Sequence, residues 1–430
     1  MYQLSYFHCD VTPPLGHPLC GGWITPVTEI VDRQSAHGII LFGAERPIVL
    51  VTVDWCEIRD SGYDQWRVAL ADAVGTTADH VFVHTVHQHD AILADPEAEV
   101  LLRENNSSNY SLDLEFFEQA IQNVADAARA AMATKNPVTH ISTGQAEVKQ
   151  VASNRRIMKD ANGKVETMRG SSCKDERLRA APEGLIDPFL KTIGFWNGDT
   201  LLAAMHYYAT HPMSHYGKGQ VSCDFCGLAR DQFATETGAP QLYFTGGAGN
   251  IAAGKYNDGS PEMRPVLTGR MLDGMRRSLK NSTRQPLEFV GWQALPVHLP
   301  PRAEQPVELY QTWFRDPNEA PAKQTWAAMG LVWLSRIQAQ PDAIDLTCLQ
   351  LNDVRVLHLP GEPFVEYQLF AQQIASEKFI AFAGYGDGGT GYIPTAAAYA
   401  EGGYEAGWVA FTAPESEAIL QEAMQRLVHG

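Results

Sequence analysis

Residues 47–55 (PIVLVTVDW) are an almost unbroken run of apolar, largely β-branched side chains. Such a run has no polar face, so it reads as a strand buried on both sides, under helices rather than against water. An amphipathic helix follows over 63–74, and 80–87 (HVFVHTVH) reads as the next strand. The alternation then continues. Helices are expected over 114–132, 224–237, 263–279, 326–337, 365–376 and 415–428. Strands are expected over 201–209, 241–245, 354–359 and 379–383. The class is therefore α/β, a mixed β-sheet core covered by helices. No internal repeat, low-complexity tract or linker is visible, so residues 1–430 are taken as one large domain. The segments 149–184 and 299–323 are polar and proline-bearing, and read as long surface excursions of the kind that carry substrate contacts.

Composition narrows the partners. With 45% hydrophobic and 19% charged residues the chain is an ordinary globular one, which excludes disorder and coiled coil. No stretch reaches the ~18 apolar residues that a membrane span needs. The first ten residues lack a basic segment followed by an apolar run, so no secretory signal is expected. Acidic residues outnumber basic ones 50 to 33, a net charge of -17. Such a surface repels phosphate, which makes nucleic acid and anionic membranes poor partners, but it says little about the small-molecule substrate expected below. The oligomeric state is not legible. Cys9, Cys20, Cys56, Cys173 and Cys348 are scattered, and Cys223 and Cys226 form a single Cys-x-x-Cys. A structural zinc site would need a second pair. The pair is compatible with a redox motif, but packed thiols in a reducing, cytoplasmic compartment are the commoner reading.

Seven of the 14 histidines fall in two short windows: His80, His84, His87 and His89, then His206, His211 and His215. Two-residue spacing at a strand end puts the rings of His87 and His89 on one face. Sites in α/β sheets lie at the carboxyl ends of strands, and His211 follows another strand end. A single histidine is more often hydrogen-bonded or simply exposed. The joint pattern points to a metal, and zinc prefers such nitrogen ligands. A carboxylate is wanted beside them. Glu362 leaves a strand through Pro360-Gly361 just before a helix, where it could equally serve the helix dipole.

Two glycine-rich stretches follow strands. Residues 384–395 interleave glycine with Tyr385 and Tyr392, and Tyr399 and Tyr404 come soon after. The backbone there either presents phenols to a site or closes a packed loop with tyrosine lids. Residues 245–250 (TGGAGN) could cradle an anion with backbone N–H groups, but lack any nucleotide fingerprint.

Taken in order, these motifs resemble the catalytic domain of the neutral, non-lysosomal ceramidase family. The resemblance runs from Asp10-Val11-Thr12-Pro13-Pro14 and Gly21-Gly22-Trp23 through His87-Gln88-His89, Asn154-Arg155, Ala209-Thr210-His211 and Ser222-Cys223-Asp224. It ends with Leu359-Pro360-Gly361-Glu362, Tyr392-Ile393-Pro394-Thr395, Tyr399 and Tyr404-Glu405. It implies a zinc ion held by His87, His211, Glu362 and Tyr392, with His89 beside the metal or its water. Arg155 and Tyr404 would bind the substrate carbonyl or the developing oxyanion. Asn154, Asp224, Gly249, Asn250 and Ala252 would border the substrate. The chain also departs from the family pattern. Where the family carries Gly-Asp-Val-Ser-Pro-Asn, this sequence has Gly249-Asn250-Ile251-Ala252-Ala253-Gly254. Ala252 cannot be a hydroxyl nucleophile, whereas hydrolysis by metal-activated water survives the change. The C-terminal β-sandwich domain of the family's full-length ceramidases is not expected here. The expected function is a zinc-dependent hydrolase acting on an amide or ester of a soluble, polar compound. The alternatives are a true N-acylsphingosine amidohydrolase and a non-catalytic metal- or ligand-binding relative.

Overall fold

The structure is a computed structural model that describes residues 1–105 and 110–430. One order of elements recurs three times along it: three antiparallel strands in chain order, a crossover helix, and a fourth strand parallel to the third. In the first unit the antiparallel strands are Gln3–Asp10, Ser35–Phe42 and Ile48–Val53. Helix Asp60–Val74 leads to strand Val81–Thr85. The second has His140–Glu147, Phe189–Asn197 and Thr200–Tyr208, then helix Asp224–Thr237 and strand Gln241–Thr245. The third has Val290–Val297, Ile344–Leu351 and Val354–His358, then helix Val365–Ile374 and strand Ile380–Ala383. A further helix ends each unit: Leu114–Ala131, Met263–Lys280 and Ser416–His429. Each packs on its own crossover helix and first strand. The repeat was invisible in the sequence and exists only as topology.

The three sheets turn one face each toward a shared core, where Ile39, Leu50 and Phe82 meet Ile193, Met205 and Phe244, and Leu349, Val356 and Ala381. The opposite faces are covered by each unit's own helices, as where Val51 packs with Trp66 and Phe117. Leu50 and Val51 are neighbours pointing to opposite faces, both buried, which is why residues 47–55 lack polar alternation. The 299–323 segment is not a surface excursion throughout. It contains helix Val307–Arg315, which packs on helix Pro321–Ala339 and buries Tyr310 and Phe314. Those two residues, four apart, supply one apolar stripe among polar neighbours. No helix among the described residues is long and apolar enough to cross a membrane.

Candidate metal centre

The six parallel strands send their carboxyl-terminal segments to one place. Ile48–Val53 leads to Cys56 and Glu57, Val81–Thr85 to His87 and His89, and Thr200–Tyr208 to His211. Gln241–Thr245 leads to the glycine-rich turn before Asn250, Val354–His358 to Glu362, and Ile380–Ala383 to Tyr385. The convergence of His87 and His89 does not come from strand periodicity, as expected above. The strand ends at Thr85, and His87 has φ +77°. That left-handed residue turns the chain so that the two rings meet edge to face, 5.1 Å apart. Tyr385, also left-handed at φ +55°, lays its ring 4.5 Å from that of His87.

His87 and His211 face one carboxylate oxygen. Glu362 Oε2 lies 3.2 Å from His87 Nε2 and 3.1 Å from His211 Nε2. The far nitrogen of each ring is engaged by backbone. His87 Nδ1 is 2.9 Å from the Cys56 carbonyl, and His211 Nδ1 is 2.7 Å from that of Ala248. These contacts fix each ring and its tautomer with Nε2 turned inward. Tyr392 OH lies 3.4 Å from His211 Nε2. Its placement follows from pairing: Glu362–Pro363 and Tyr392–Ile393 form a parallel bridge with Glu362 opposite Tyr392. Gly249 allows the close approach behind the site, because a Cβ there would overlap the Glu362 carbonyl.

The site's charges are arranged around Glu362. Burial opposes its ionisation, but His87 and His211 hold its carboxyl well below the usual carboxylate range. Burial opposes charge on His87 too, yet Glu362 outweighs it and pushes the imidazole up to about 9. Burial dominates at His211 and pushes it down to about 4. Arg155 Nη1 donates to Tyr392 OH at 3.3 Å, and Arg155 Nε lies 3.3 Å from Glu405 Oε1. The guanidinium is 5.8 Å from both the Tyr392 and the Tyr404 ring centroids. Burial works against its charge but is outweighed by Tyr392 and Glu405. Tyr404, 41% exposed, stands edge-on to Tyr392 at the mouth. The cavity is about 20 Å³ and is bordered by His87, His89, Glu362, Tyr392, Tyr404 and Trp326.

That volume suits one ion or water. His87 Nε2 and Glu362 Oε2 are buried and have no partner outside the trio they form with His211 Nε2. Orphaned polar atoms facing each other from locked imidazoles and a carboxylate are what a zinc-type cation would satisfy, so the donor set fits zinc.

Other residues named from sequence lie around the cluster in different roles. Asn250 clips a helix start: its Oδ1 accepts from Val365 N, and its Nδ2 donates to Glu366. Asn154 Nδ2 donates to the Leu185 carbonyl, and its Oδ1 accepts from Arg156 N. Asp224 is buried at the start of its helix and accepts from Ser214 N, which ties down the segment after His211. Ala252 is fully buried opposite Ser153 in a two-residue antiparallel bridge, and does not border the cavity. His206 is a satisfied core histidine, bonded to Thr192 and Gln241. His84 likewise bonds Thr52 and the Thr245 amide. Sequence reasoning gave no site role to Cys20, Cys56, Glu57 and Tyr385, although it named Tyr385 among the phenols of the glycine-rich stretch. Positions just past strand ends were the available signal for the last three.

No family model matches the sequence, and no curated protein matches it. Solved structures do. The neutral ceramidase from Pseudomonas aeruginosa superposes with a TM-score of 0.72 at 16% identity, over 99% of this chain and 74% of that one. The fold is that of neutral ceramidase. A ceramidase complexed with C2 gives a TM-score of 0.71 at 15% identity over the same shares. The neutral ceramidase fold therefore spans this chain nearly end to end, with the convergence of six strand ends at its centre.

Proposed function

We propose that the protein is a zinc-dependent hydrolase that cleaves an amide or ester of a soluble, polar substrate, with water as the nucleophile. One observation carries the reading. Two imidazoles, each locked by a backbone carbonyl at Nδ1, present Nε2 to the same carboxylate oxygen at 3.2 and 3.1 Å. His87, His211, Glu362 and Tyr392 would hold the ion. A bound zinc supplies Lewis-acid activation of water and of the substrate carbonyl. The remaining work falls to side chains of this chain. Arg155, kept charged between Tyr392 and Glu405, sets a fixed positive charge where a carbonyl oxygen becomes negative. Tyr404, at the mouth, donates its hydroxyl to the same oxygen. His89 Nε2 is buried without a partner and takes a proton as water attacks.

A second reading, N-acylsphingosine as substrate, is favoured by the apolar wall that Trp23, Leu93 and Trp326 form beside the cavity. It also draws on the similarity to ceramidases. A panel of small polar amides and esters beside short- and long-chain N-acylsphingosines separates the two, assayed after chelation and again after zinc is restored. The polar compounds are expected to turn over only in the zinc-loaded state, and the sphingolipids poorly. Ceramide cleavage at ~10⁴ M⁻¹s⁻¹ or above would replace the first reading with the second. Equal turnover with and without metal would overturn both.

A further inference from the structure

Two thiols stand beside the centre, and the mechanism above does not use them. Cys20 Sγ lies 4.0 Å from Cys56 Sγ and 3.7 Å from His89 Nδ1. A ligand atom of each of the three lies within 4.8 Å of the other two. Both cysteines are free and buried. We propose that Cys20, Cys56 and His89 form a second metal site, for a thiophilic divalent cation such as zinc, separate from the His87–His211–Glu362–Tyr392 centre.

The spacing supports a shared ion rather than a disulfide. With Zn–S near ~2.3 Å and Zn–N near ~2.05 Å, tetrahedral geometry puts sulfurs ~3.8 Å apart and sulfur to nitrogen ~3.6 Å. The observed 4.0 and 3.7 Å need adjustments of a few tenths of an ångström. A disulfide would need the sulfurs to close to ~2.05 Å.

The three ligands are also held together by backbone. Cys20 N donates to the Ala91 carbonyl at 2.8 Å, and Cys56 N to that of Ile92 at 2.7 Å. Both thiols are thus tied to the segment that carries His89. Cys20 is held at φ +47°, a conformation that costs free energy for a residue with a Cβ. Topology adds an independent point. Cys56 lies three residues past the third strand of unit one, and His211 lies three residues past the third strand of unit two. The fold has therefore placed a ligand-type side chain at the same station twice.

Access is through the half-buried His89, whose ring meets that of the partly exposed Tyr216 at 5.1 Å. Three protein ligands leave a fourth position for water or a substrate heteroatom. His89 would ligate through Nδ1 here, which fixes its ring proton on Nε2, so an occupied site takes the base role proposed above away from His89 and leaves Nε2 as a donor toward the neighbouring centre. The proposal goes beyond the hydrolase reading and does not depend on it.

The test is cobalt(II) titration of the reduced, metal-stripped protein, following stoichiometry and the sulfur-to-cobalt charge-transfer absorption. Wild type is expected to bind two equivalents, with the sulfur band accompanying one of them. Cys20→Ser/Cys56→Ser should bind one equivalent without the band. Cys223→Ser/Cys226→Ser should behave as wild type. His87→Ala/His211→Ala should keep the sulfur band while losing the other equivalent, so failure at one centre is distinguishable from failure at the other. A single equivalent without the band in wild type would overturn the proposal. So would a band that survives Cys20→Ser/Cys56→Ser, or a Cys20–Cys56 disulfide in the protein purified without reductant. If the cysteine variant does not fold, X-ray absorption on wild type carrying two equivalents of zinc decides. Sulfur ligands support the site, and a shell of nitrogen and oxygen alone overturns it.

Discussion

Glu405 has no solvent exposure and serves two guanidinium groups, Arg155 at 3.3 Å and Arg156 at 3.0 Å. Removing its charge leaves the buried Arg155 without its carboxylate partner, while Arg156 keeps Glu401 at 3.2 Å; breaking a buried pair in this way costs about 3–5 kcal/mol elsewhere. Glu405→Gln is therefore expected to lower the urea unfolding midpoint strongly, and to weaken hydrolysis by releasing Arg155 from its place. An unchanged midpoint would show that the pair is not held as described. Tyr392 makes a subtler case. Tyr392→Phe keeps the ring and removes the hydroxyl that meets Arg155 and His211. It should leave the unfolding free energy within about 1 kcal/mol of wild type, while metal affinity falls at least tenfold in a competition with a chromophoric chelator. The legibility of the site follows the same division. His87, His211 and Glu362 could be read because each follows a recognisable strand end. Tyr392 came only through the family resemblance, since nothing local announces that it pairs across a parallel bridge with Glu362, 30 positions earlier. Cys20 was unreadable because its partners are brought to it by the Ala91–Ile92 backbone, remote in sequence.

Among the elements, the turn after strand Gln241–Thr245 and the bridge at Glu362 are in contact through Gly249. Gly249→Ala drives a methyl into the Glu362 carbonyl oxygen. The expected result is a folded protein with weakened metal binding, seen as faster zinc loss to a chelator. Undiminished retention would mean that the bridge yields without moving the carboxylate. The strand Val354–His358 carries a different signal. His358 is buried against Phe82, with ring centroids 4.1 Å apart, and burial pushes its imidazole down to about 3. His206 is likewise pushed down by burial, to about 4. In the unfolded chain both take up a proton near pH ~6.5, while in the folded chain they do not until far lower pH. Stability is therefore fully present above about 6.5 and falls as pH drops toward the folded values, by about 2 kcal/mol per histidine by pH 5. His358→Phe should flatten part of that fall in urea titrations at pH 7 and pH 5. Equal slopes for variant and wild type would contradict the burial argument.

At the scale of the whole molecule, the strand–helix alternation foretold the class and all six parallel strands, but not the threefold order. The parallel strands are apolar on both faces and stand out as runs. The antiparallel ones are not: His140–Glu147 reads HISTGQAE and becomes a strand through its pairing, not its composition. Gly144 within it is needed because a Cβ would strike the Ser278 carbonyl of the helix packed on it. Such register and packing constraints involve distant segments, which explains why three similar units left no repeat in the sequence. The same architecture explains the site, since each unit contributes a parallel pair whose carboxyl ends meet at one point. The direct test of that convergence is a crystal structure of the zinc-loaded protein, with anomalous data collected at the zinc edge. The account predicts a peak within ~2.3 Å of His87 Nε2, His211 Nε2, a Glu362 carboxylate oxygen and the Tyr392 oxygen. No peak between these four side chains, or a Tyr392 ring turned away into the apolar core, would contradict it.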